Sequence, residues 1–175
     1  MQKLYFTVVL LFLLGCNRVP DGIEPVSDFE VNRYLGTWYE IARLDHSFEK
    51  GLSNVTAQYS LRDDGGINVV NRGYSEEDKE WRTAQGKAYF VGTQDKGHLK
   101  VSFFGPFYSS YVIFKLDKEN YLYAYITGYN KEYLWLLARF PQVDKDIIQD
   151  FVATSDRNGF NTKDLIFVQQ DLHTK

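Results

Sequence analysis

The chain has 175 residues, a formal net charge of -3, no block of lysines or arginines and a single cysteine. Electrostatic binding to nucleic acid needs a basic stripe that is missing here, and a disulfide-stapled secreted scaffold needs more than one thiol. The length suits one domain built on one core.

Lys3 followed by the apolar run Leu4 to Leu14 has the character of a leader. A transmembrane helix needs roughly 20 apolar residues, and a signal-peptide apolar region needs about 7 to 15, so the run is read as a signal. It ends in Leu13-Leu14-Gly15-Cys16, which resembles the lipobox of bacterial lipoproteins, with Leu14 standing where that family more often has a smaller residue. The resemblance implies cleavage after residue 15 and an acyl anchor, palmitate included, on Cys16; the alternative is a leader that ends near a free thiol. Two or more acyl chains anchor stably where one does so only marginally. Asn17 in place of an aspartate after the cysteine implies, by the same resemblance, sorting to the outer membrane. Residues 16–28, with Pro20, Gly22 and Pro25, read as lipidated N-terminus and linker, and residues 29–175 as the folded domain.

Gly36-Thr37-Trp38 opens the first strand, glycine allowing a tight turn and the indole providing a plug for a barrel floor. Val55, Ala57, Tyr59 and Leu61 then alternate with polar side chains, and Asp63-Asp64-Gly65-Gly66 makes a hairpin turn. Ile67, Val69, Asn71 and Gly73 share the face of the next strand. Ala84, Gly86, Ala88 and Phe90 share that of the fourth, and Leu99, Val101 and Phe103 that of the fifth. Strands over 108–116, 121–128 and 133–140 complete a count of eight. Eight consecutive antiparallel strands can close up-and-down and lose their edges, so the expected fold is an all-β, eight-stranded antiparallel barrel.

Helical periodicity appears once, over Lys145 to Arg157, with Asp144 at the N-cap and Asn158-Gly159 as the left-handed stop. Its apolar stripe of Ile147, Ile148, Phe151 and Val152 needs a hydrophobic surface. Tyr39 and Ile41 provide one on the outside of the barrel, with parity opposite to Trp38, Glu40 and Ala42. A last short strand over Leu165 to Gln169 is expected along the first strand.

Taken together, Tyr34-Leu35-Gly36-Thr37-Trp38-Tyr39-Glu40-Ile41-Ala42-Arg43, Tyr59-Ser60-Leu61 with its Asp-Gly turn, Asn71-Arg72-Gly73 and Tyr133-Leu134-Trp135-Leu136-Leu137-Ala138-Arg139 resemble the lipocalin family. The likeness is specifically to the bacterial outer-membrane lipoprotein lipocalins related to apolipoprotein D. It implies that Arg139 lies across Trp38, a cation over an electron-rich ring, so that Gly36, Trp38 and Arg139 form a structural floor. Only the motif before the eighth strand departs, with Thr127-Gly128-Tyr129-Asn130 where the family usually carries Thr-Asp-Tyr or a Gly-Pro-Asp turn. The resemblance also implies a chamber for fatty acids or lysophospholipids, stored or transported at the envelope. Its expected lining is Val55, Ala57, Tyr59, Val69, Ala88, Phe90, Val101 and Phe103, with Phe48 and Leu52 as lid contacts from the first loop. Glu40, Asn71 and Ser110 are the polar positions of the same parity, able to orient a headgroup or to satisfy one another.

No cofactor or metal is implied, since His46, His98 and His173 lie apart without ligand spacing, and no Gly-x-Ser-x-Gly elbow occurs. Two other readings stand beside the carrier: a lipid-modifying enzyme housed in the barrel, and a structural envelope lipoprotein whose chamber is filled by its own aromatics. A homodimer stays open beside the monomer.

Overall fold

The computed structural model describes residues 17–173; the leader and Cys16, with the readings that fall on them, lie outside the described residues. Gly36 has φ +94, the left-handed region glycine reaches without a Cβ penalty, and it turns the chain into β1 (Gly36–Leu44). There follow β2 (Leu52–Leu61), β3 (Ile67–Ser75), β4 (Glu80–Phe90) and β5 (His98–Ser102). The series ends with β6 (Ser109–Leu116), β7 (Tyr123–Thr127) and β8 (Leu134–Ala138). Each strand pairs antiparallel with the next, β8 returns to β1, and β1 pairs with β2. The sheet therefore closes into the expected eight-stranded barrel, each strand paired on both sides over at least part of its length.

Two apolar clusters follow from the period-2 alternation. One fills the barrel, with Trp38, Tyr59, Val69, Ala88, Ile113 and Leu137 among its members. The other covers the outside of β1, β7 and β8, where α2 (Lys145–Arg157) brings Phe151 against Tyr125 with ring centroids 4.9 Å apart. Tyr39 and Ile41 belong to this outer cluster, the surface the helix needed. Asp144 occupies the N-cap position without a side-chain bond to the helix, and Gly159 follows the C-cap with φ +78. Across the outer face, Lys115 Nζ reaches Asp150 Oδ2 at 2.5 Å.

β-Bulges alter the expected parity. β1 shifts register between Glu40 and Ala42, and a bulge turns every later side chain to the other face. Ala42 therefore joins the outer cluster instead of sharing a face with Trp38 and Glu40, and Arg43 is the buried residue beside Glu40. Ser110 also departs from its expected face. In β6 it is Tyr111 that packs on the inner cluster, while Ser110 Oγ donates to the carbonyl of Arg18 at 2.7 Å.

Residues 17–28 do not behave as a linker. They run down the barrel as a strap, Val19 and Ile23 packing on the outer cluster and Val26 N–H donating to Ile113 O at 2.9 Å. Phe29 N–H then donates to Asp95 O at 2.9 Å, and a single helical turn, α1 (Val31–Tyr34), crosses the lower end. Four residues are too few for a periodic signal, so this helix left no pattern to read in the chain.

β9 (Leu165–Phe167) pairs with the upper part of β1 through Ala42–Phe167, Arg43–Ile166 and Leu44–Leu165. β1 meets β2 only as far as Tyr39, and the C-terminal segment fills the seam above. Gln170 Nε2 donates both to Glu40 O at 2.7 Å and to Val55 O at 2.9 Å, joining the two walls.

Candidate functional site

The floor is assembled from β1, α1 and the segment after β8. Trp38 is wholly buried, and its Nε1 donates to Tyr34 O at 2.8 Å. The Tyr34 ring packs on one side at 4.6 Å, and the Arg139 guanidinium lies 3.9 Å from the indole centroid. Arg139 also donates to Thr37 O at 3.0 Å, Arg33 O at 2.7 Å and Tyr121 O at 3.3 Å, so one planar fork ties three segments over the ring. A Cβ on Gly36 would stand 3.5 Å from Arg139 Nη1.

Above the floor, three tyrosines from different strands and α1 share their hydroxyls. Tyr111 OH lies 2.7 Å from Tyr34 OH and 3.0 Å from Tyr59 OH. Burial raises the pKa of all three above the ordinary phenol value, so they stay protonated. Three protons serve two hydrogen bonds, which leaves one donor over. Tyr34 was not among the residues expected to line the chamber, and Tyr111 lies in the stretch 108–111, a candidate for the mouth whose parity the sequence left open. The break at Gly105-Pro106 hid the parity of Tyr111, and Tyr34 belongs to the single helical turn.

The expected lining residues take these places. Ala57, Tyr59, Val69 and Ala88 are buried within the inner cluster, and Phe90, Val101 and Phe103 pack partly buried against it. Registry brings them into rows, Trp38 opposite Ala57, Ala57 opposite Asn71, and Asn71 opposite Ala84. Val55 is buried higher on β2, where a Cβ on Gly73 would stand 3.2 Å from Val55 Cγ2. Phe48 is set apart from them, 60% exposed on the first loop and stacked on His46 at 3.9 Å. Within this apolar interior Asn71 Oδ1 is buried without a hydrogen-bond partner.

A polar cluster ties the first loop to the wall. Arg43 donates to Glu40 Oε1 at 2.7 Å and to the carbonyls of Glu49 and Leu52 at 3.0 and 3.2 Å. Trp135 Nε1 donates to Glu49 Oε2 at 3.1 Å, and His46 Nε2 lies 3.1 Å from the same oxygen. Glu40 is thus satisfied by protein groups. Its pKa is raised well above the usual carboxyl value, first by burial and then by the neighbouring Glu49, with Arg43 pulling the other way. Among the described residues no group of three His, Cys, Asp or Glu side chains is placed to hold a metal ion.

Residues 29–170 match the model of the lipocalin-like domain family. The chain is 58% identical over 170 residues to outer membrane lipoprotein Blc of Vibrio cholerae, covering 97% of this chain and 99% of that one. To the protein of the same name from Escherichia coli K12 it is 50% identical over 151 residues, 86% of this chain and 85% of that one. Among solved structures, insecticyanin from the tobacco hornworm Manduca sexta superposes with a TM-score of 0.69 at 17% identity, over 87% of this chain and 86% of that one. With a closed eight-stranded barrel, a buried floor tryptophan and a family match over most of its length, the chain belongs to the lipocalin family.

Proposed function

We propose that this lipocalin is a binding protein that holds one single-chain lipid in its barrel at the outer membrane, storing or carrying it there, with Cys16 as the acylated anchor. The outer-membrane location is shared with its lipoprotein relatives. The observation that carries the choice of guest is an unpartnered buried acceptor on the inward face of β3, Asn71 Oδ1. A buried acceptor without a partner costs free energy until a donor arrives. The glycerol hydroxyl of a lysophospholipid can donate to it and an ionised carboxylate cannot, which favours a lysophospholipid over a free fatty acid. The acyl chain would run along Ala57, Val69, Ala88 and Val101, each buried methylene contributing about 0.8 kcal/mol before the cost of immobilisation.

The test is to purify the protein from its native membrane, extract it and identify the lipids by mass spectrometry, beside an Ala84→Trp variant. Ala84 has inward parity and is exposed, so an indole there adds bulk to the inward face without overfilling the core. Equimolar lysophospholipid with the parent chain and its loss from the variant is the expected result. A parent chain that carries no lipid and takes up none when offered overturns the reading. That outcome would favour the structural role, for which the tyrosine trio filling the lower interior speaks.

A further inference from the structure

The strap and the β5–β6 connection meet at the open end of the barrel. β6 begins at that end, and Ser110, its second residue, holds the carbonyl of Arg18 at 2.7 Å. Arg18 is two residues from Cys16, and two extended residues reach roughly 7 Å. On the reading that Cys16 carries the acyl anchor, the bilayer surface lies against this rim and not against the floor, because the strap leads from rim to floor.

The neighbouring turn presents two phenyl rings outward. Phe107 N–H donates to Phe104 O at 3.1 Å, closing a tight turn in which Phe104 is 83% and Phe107 67% exposed. Two exposed rings on one four-residue turn are an unsatisfied apolar surface, and aromatic residues are at home in the interfacial layer of a bilayer. We infer that the Phe104–Phe107 turn is a membrane-docking element that seats both rings in the bilayer holding the anchor. The occupant is a phospholipid surface because the tether brings that surface within reach of this turn. Phe140, 60% exposed, follows β8 at the floor end and receives no such partner. Docking in this pose sets the mouth against lipid, so a single-chain guest passes between bilayer and barrel without crossing open water.

The experiment uses the full acylated chain in vesicles of phosphatidylethanolamine and phosphatidylglycerol. Acylation occupies Cys16, the only cysteine, so Phe104→Cys, Phe107→Cys and Phe140→Cys can each be labelled uniquely with an environment-sensitive fluorophore. Flotation reads the anchor, and quenching by brominated phospholipid reads the docking. Quenching at 104 and 107 severalfold above that at 140 is expected. A chain that floats with equal quenching at all three positions overturns the docking and leaves the anchor standing; a chain that does not float overturns both. Protection of the 107 label in a dimer without vesicles would make the turn an interface between copies and would equally overturn the proposal.

Discussion

Replacing Trp38 by alanine should remove more stability than any other single change at the floor. The side chain is wholly buried, so the loss combines the transfer of a large ring with an unfilled cavity, about 3 to 5 kcal/mol by precedent. Two features place it near the upper end: the Nε1 bond to Tyr34 O at 2.8 Å, and the guanidinium of Arg139 at 3.9 Å, whose partner ring vanishes. Because the fork of Arg139 also holds three carbonyls, the cation cannot follow the cavity inward. In a domain of this size each kcal/mol moves the melting temperature by about 2 to 4 °C, so a loss of about 4 kcal/mol corresponds to about 8 to 16 °C. Chemical and thermal denaturation of Trp38→Ala and Trp38→Phe beside the parent chain measure it, the phenylalanine variant keeping most of the ring. A loss below about 1 kcal/mol for the alanine variant would mean that the indole does not close the barrel.

Two further outcomes follow from buried polar groups. Tyr111→Phe removes the hydroxyl that serves both Tyr34 and Tyr59, and should destabilise more than Tyr34→Phe, which leaves one bond in place; each orphaned buried hydroxyl costs about 1 to 3 kcal/mol. Equal melting temperatures for the two variants would refute the shared arrangement. For Glu40 the folded pKa is raised, so at low pH both folded and unfolded chains hold the proton and the group is neutral to stability. As pH rises through the ordinary carboxyl range the unfolded chain releases its proton first, and stability falls until the folded carboxyl ionises too. Glu40→Gln has no proton to lose, so its stability relative to the parent should increase with pH through that window; a pH-independent difference in denaturation midpoints would contradict the raised pKa.

The strands and helix were legible because their signals are local. Alternation marks each wall, turn residues separate the strands, and α2 spans the same residues in sequence and structure because a lone 3.6 period stands out after eight period-2 segments. The bulge in β1 was not legible, since Ala42 is small enough to suit either face and nothing nearby marks the extra residue. What makes Arg43 an inward residue is a set of distant acceptors, Glu49 O and Leu52 O, that only the folded first loop supplies. The strap was hidden for a related reason. Its Pro and Gly content resembles a flexible tether, yet Val19, Ile23 and Val26 find apolar surface that exists only once β5 and β6 have formed. In the candidate site, alternation supplied the apolar rows and the inward place of Asn71, but the tyrosine trio and the Arg43 cluster arise from pairings between distant segments.

The seam above Tyr39 bears on when the protein can fold. Gln170 stands 130 and 115 positions from the two carbonyls it joins, a separation that makes the contact among the most costly in chain entropy to form. A nascent chain that lacks its last few residues has both walls but no stitch between their upper halves. The lower ring is already closed by the pairing of β1 with β2 and β8, and only the upper seam waits for Gln170.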